Sequence, residues 1–120
     1  MSDPAWVEHA IWWQIYPLGF VGAFPADPVP TADERVRATV YTSGEHCPMC
    51  AAAHAWVGLG RIVYAASTAQ LVSWQQVWGV TASPVAPLPI STIAPGIQID
   101  GPAPELAEEM KAMYETAFRA

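Results

Sequence analysis

Apolar and polar positions alternate with period two over residues 35–41, with Val36, Ala38 and Val40 on one side and Arg37, Thr39 and Tyr41 on the other. Successive strand side chains point to opposite faces, so this alternation predicts a β-strand. Helix signals follow at once. Pro48 suits a first helical position, where its missing N–H would have had no intrahelical partner. An alanine-rich helix is expected to run on to residue 57, until Gly58 and Gly60 stop it. Residues 61–66 (RIVYAA) predict a second, more buried strand. Ser67 or Thr68 is placed to cap a helix over 69–78 that Gly79 closes. Strand, helix, strand, helix in this order implies parallel strands joined by right-handed crossovers.

Residues 82–104 are proline-rich, with one short strand expected at 97–99. Pro104 then opens a last helix. Its acids Glu105, Glu108 and Glu109 lie near the start and Arg119 at the end, which matches the helix dipole. Leu106, Met110, Met113, Ala117 and Phe118 form its expected buried stripe. At the other end of the chain the pattern is ambiguous. Trp6, Ala10 and Trp13 have helical spacing, while residues 11–16 also suit a buried strand ended by Pro17. A loop over 25–31 follows, so the expected division is an N-terminal segment with linker, 1–34, and an α/β region, 35–120.

A chain of 120 residues with 52% hydrophobic residues suits one globular domain with one core. The net charge of −6, with five Lys and Arg residues that form no run, offers no phosphate-tracking surface. Partners are therefore expected to be small molecules, with neither a nucleic acid polymer nor a membrane among them. Asp3 and Glu8 in the first residues, and Gln14, Pro17 and two glycines within 11–24, do not fit a secretory signal or a spanning helix. Two closely spaced cysteines do not make a secreted disulfide framework. Cytoplasm is the expected compartment.

Those cysteines carry the candidate chemistry. Cys47 and Cys50, three apart on a first helical turn, point to the same side. A helix N-terminus favours the thiolate, the form that binds metal or attacks a disulfide. Spacing alone does not separate zinc from redox chemistry, and two cysteines packed as small apolar residues are the plain alternative. The polar, glycine-containing approach Thr42-Ser-Gly-Glu-His46 favours a site.

The stretch 38–50 (ATVYTSGEHCPMC), followed by the helix to Val57 and by 60–67 (GRIVYAAS), resembles the strand–helix–strand centre of the cytidine, deoxycytidylate and guanine deaminase superfamily. The resemblance implies an α/β fold over about residues 35–120. That fold would be an incomplete form of the cytidine-deaminase-like three-layer αβα fold, with a short mixed or parallel sheet. It also implies zinc held by Cys47 and Cys50, and a nucleobase or nucleoside substrate. In that family a preceding helix adds a His ligand and, two residues later, a proton-shuttling Glu. Here His9, His46 and His54 are followed at that spacing by Ile11, Pro48 and Trp56, and His46 replaces the family's Pro before the first Cys. The expectation is thus a zinc-dependent hydrolytic deaminase relative, impaired because the His-x-Glu half is missing. Candidate third ligands are His9, His54 and His46, and candidate proton shuttles are Glu8 and Glu45.

Residues 6–20 (WVEHAIWWQIYPLGF) resemble the opening of alpha-amylase-family glycoside hydrolases but carry none of that family's catalytic carboxylates. A (β/α)₈ barrel needs about 250 residues, so glycosidase activity is not expected. The chain reads as a chimera joined near residues 25–35. Two other functions compete with the deaminase relation. C-P-M-C after a strand also resembles a glutaredoxin-type thiol–disulfide start, with 92–101 (TIAPGIQIDG) resembling its proline loop. The third reading is a non-catalytic fragment that pairs with another copy of itself, and a homo-oligomer is expected.

Overall fold

The computed structural model describes residues 30–119, of which 31–119 belong to the compact unit Thr31–Ala120. The readings made for residues 1–29, including those for Glu8 and His9, lie outside the described residues.

Helix α1, Ala32–Arg37, replaces the first half of the strand expected over 35–41. The cause is local. The Thr31 hydroxyl accepts from the Glu34 amide at 3.2 Å, and the Glu34 carboxylate accepts from the Thr31 amide at 2.7 Å. This reciprocal capping box satisfies two amides that a helix start leaves free. Asp33 and Glu34 in the first turn and Arg35 and Arg37 in the last complement the dipole. Alternation survives only from Thr39 onward, and Val36 is exposed.

Strand β1, Thr39–Gly44, leads into α2, Pro48–Trp56, with Cys47 as its N-cap residue. Strand β2, Arg61–Ala66, is followed by α3, Thr68–Val77, which opens on a second capping box between Ser67 and Gln70. A one-turn helix α4, Ile90–Ile93, was not foreseen. Strand β3 is Ile99–Asp100, displaced toward the carboxyl end of the strand expected at 97–99. Pro104–Leu106 forms a 3₁₀ turn that continues into α5, Ala107–Arg119.

The described strands form one parallel sheet in the order β1-β2-β3, so the chain is α/β with a small open sheet. In the register Val40 faces Ile62, Thr42 faces Tyr64 and Gly44 faces Ala66. The central strand alternates, burying Ile62, Tyr64 and Ala66. Around Ile62 and Tyr64 pack Ala51 of α2, Ile90 of α4 and Ala94, with Ile93, Ile97 and Ile99 alongside. Alanine at 51 lets α2 lie close to the sheet.

On α5 the buried stripe is narrower than expected. Met110 is buried, whereas Leu106, Met113, Ala117 and Phe118 are exposed. Tyr114, one turn beyond Met110, meets Trp74 of α3 with ring centroids 6.3 Å apart, and Phe118 stacks on Tyr114 at the same separation. The rings thus select the line Met110–Tyr114–Phe118, at four-residue spacing, over the one through Met113.

Candidate functional site

The residues between β1 and α2 form the site at the carboxyl end of the parallel strands, where open α/β sheets place ligands. Glu45 follows β1, and its amide donates to the Ala66 carbonyl at 2.8 Å, which extends the strand pairing. Its carboxylate accepts from the Thr68 amide at 2.7 Å and from the Ile90 amide at 2.8 Å. These amides open α3 and α4. One side chain thereby caps two helix N-termini and ties both to the end of β1. This capping role was not legible from sequence, because its partners lie 23 and 45 residues further on.

His54 is buried at 2% exposure. Its Nε2 lies 2.7 Å from the Gly60 carbonyl, and its Nδ1 lies 3.2 Å from His46 Nε2. A carbonyl only accepts, so neutral His54 bears its proton on Nε2 and accepts at Nδ1 from His46. Both ring nitrogens of His54 are engaged, and His46 keeps only Nδ1 for another partner. Burial, with the neighbouring His54 second, holds His46 below the usual histidine range, and Glu45 partly offsets this.

Both cysteines are free and exposed. Cys47 makes no side-chain cap hydrogen bond. Even so, the Cys50 amide first, then the Cys50 thiol and the Met49 amide, hold its thiol below the ordinary cysteine range against the opposing effect of burial. Cys50 is pushed up, first by burial and then by its neighbour Cys47. The pair therefore ionises in sequence, Cys47 first.

Cys47 also lies on the wall of a cavity of about 480 Å³, bounded by the start of α2, α3 and the loop over 80–87. Met49, Leu71, Val72, Val80 and Val85 make its lining largely apolar, with Glu45 at one side.

Among the described residues no group of three His, Cys, Asp or Glu side chains is close enough to hold a metal ion. The structure brings Cys47 and Cys50 together but adds neither His46 nor His54 to them as a third donor. Against a tetrahedral zinc site these residues fit two corners and no more.

No family model matches the chain, and no curated protein matches it. Among the described residues no helix is long and apolar enough to cross a membrane.

Proposed function

We propose that Cys47 and Cys50 are the two-thiolate half of a zinc centre in an impaired relative of the nucleobase and nucleoside deaminases. A small-molecule base or nucleoside would occupy the adjoining cavity. One observation carries this reading: a pair of free thiols on the first turn of the β1–β2 crossover helix, beside that cavity. The helix lies between two parallel strands, the arrangement that the resemblance of residues 38–67 implies. Zinc, when bound, supplies water activation and Lewis-acid polarisation. The remaining donors must come from outside the described residues.

Impairment follows from the same residues. The Glu45 carboxylate, the candidate shuttle among the described residues, has both oxygens taken up by backbone amides. A shuttle must exchange protons with the reacting groups, and this one is held as a structural cap. Self-association belongs to the same proposal, because β1 and β3 end the sheet without a further strand among the described residues.

Zinc per chain, by elemental analysis of the purified monodisperse protein, tests the reading. Near-stoichiometric metal that is lost in Cys47→Ser and in Cys50→Ser is the expected result. Folded protein without zinc after reconstitution would refute it.

The unequal thiols favour a second reading, a thiol–disulfide protein with Cys47 as the attacking group and Cys50 as the resolving one. Catalysed reduction of an insulin disulfide, dependent on both cysteines, is its test. No acceleration over free dithiol would eliminate it.

A further inference from the structure

We propose that Cys47 is an addition site for apolar α,β-unsaturated carbonyl compounds, whose hydrocarbon tail lies in the cavity beside it. The inference does not rest on the zinc reading and concerns the metal-free, reduced chain. Three observations converge on it. The cavity, about 480 Å³, falls within the range of about 300–1,000 Å³ usual for small-ligand sites. Its wall is largely apolar, with Leu71 and Val72 from α3 and Val80 and Val85 from the following loop. Cys47 stands on that wall, and Cys50 does not.

Glu45, the acid on the wall, has both carboxylate oxygens engaged by the amides of Thr68 and Ile90. The reactive group that the cavity offers is therefore a soft sulfur nucleophile. Cys47 is that sulfur, because it is free and exposed on the wall, whereas Cys50, one turn further along α2, does not line the cavity. The matching ligand is a soft carbon electrophile with an apolar tail.

The step balances without an oxidant or reductant. The Cys47 thiolate forms a carbon–sulfur bond to the β-carbon, and the electron pair of the carbon–carbon π bond moves onto the carbonyl as an enolate. The α-carbon takes up a proton from solvent, which replaces the one that Cys47 released on ionising. The product is a thioether, with every atom of both reactants retained.

The test compares trans-2-nonenal with acrolein, which share the electrophile and differ in the apolar tail. Second-order rates are measured on the reduced, metal-free full chain and on glutathione as a reference thiol, and the adduct is located by peptide mass spectrometry. The expected result is an adduct on Cys47 and a nonenal-to-acrolein rate ratio at least roughly tenfold above that of glutathione, the effect of about two buried methylenes. Leu71→Gln on α3 and Val85→Gln on the exposed loop should each lower the nonenal rate and leave the acrolein rate unchanged. With two walls tested, the failure of one variant to fold leaves the other to decide. A smaller ratio, a first adduct on Cys50, or a preference unmoved by whichever wall variants fold would overturn the proposal.

Discussion

The buried ring of His54 donates its Nε2 proton to the carbonyl oxygen of Gly60, 2.7 Å away. That bond fixes the tautomer of His54 and, through the 3.2 Å contact at Nδ1, orients His46 beside Cys47. Replacing His54 with Ala empties a core position and removes the partner of the Gly60 carbonyl. The expected cost is about 2–4 kcal/mol, read from urea unfolding. A loss well under about 1 kcal/mol would mean that the bond contributes little.

His46 should make stability depend on acid. Its folded value is held below the usual histidine range by burial and by His54. The unfolded side chain takes up a proton near pH ~6.5, while the folded one does so only at lower pH. Stability is therefore full above about pH 6.5 and falls as the pH drops from there toward the depressed folded value. Denaturant unfolding at near-neutral and mildly acidic pH checks this. His46→Gln should flatten the difference, and an unchanged difference would assign the acid sensitivity to other groups.

Glu45→Gln separates a structural cap from a proton shuttle. A carboxylate presents two acceptor oxygens to Thr68 and Ile90, whereas an amide presents one oxygen and one NH₂ that faces a donor. The variant should lose about 1–3 kcal/mol of stability. Equal stability in the two proteins would remove the capping argument.

Gly60 and Gly58 should respond differently to alanine. A Cβ at Gly60 would collide with the carbonyls of Val36 and Ala38, both backbone atoms, where the Gly60 amide bonds Arg35 at 3.0 Å. At Gly58 (φ +73°) the space is open and only the left-handed backbone resists, at about 1–2 kcal/mol. Thermal unfolding should rank Gly60→Ala as the more damaging. The reverse order would mean that α1 does not pack on Gly60.

The parts of this fold legible in sequence are those whose signals are local. Pro48, Ser67 and Gly79 mark the ends of α2 and α3 to within a residue or so, and 61–66 is a strand as expected. Over 35–41 two local signals compete, and the Thr31–Glu34 box decides for helix because it satisfies amides that alternation leaves unpaired. Helix α4 was not legible, since one turn has no periodicity and its first amide finds Glu45 from 45 residues away. The same distance hid the role of Glu45. The thiol pair was legible from spacing and location. The inequality of its members comes from the amides of α2 and from burial, which a spacing does not encode.

That inequality gives the last prediction. Thiolate is the reactive form, so iodoacetamide should modify Cys47 before Cys50, with a pH midpoint below that of an ordinary thiol. Cys50→Ala deletes the neighbouring thiol but keeps the residue 50 amide, the largest stabiliser of the Cys47 anion. The Cys47 midpoint should therefore rise only in part, followed by the ultraviolet absorbance of the thiolate. Cys47→Ala should lower the Cys50 midpoint, because a neighbouring charge disappears while burial stays. If the Cys47 midpoint returned fully to the ordinary value in Cys50→Ala, the amides would not be its main support. Zinc adds a discriminating case: bound to both thiolates, it should protect Cys47 and Cys50 together and release them together on chelation. Protection of one cysteine without the other would exclude a shared metal and leave the pair to thiol chemistry.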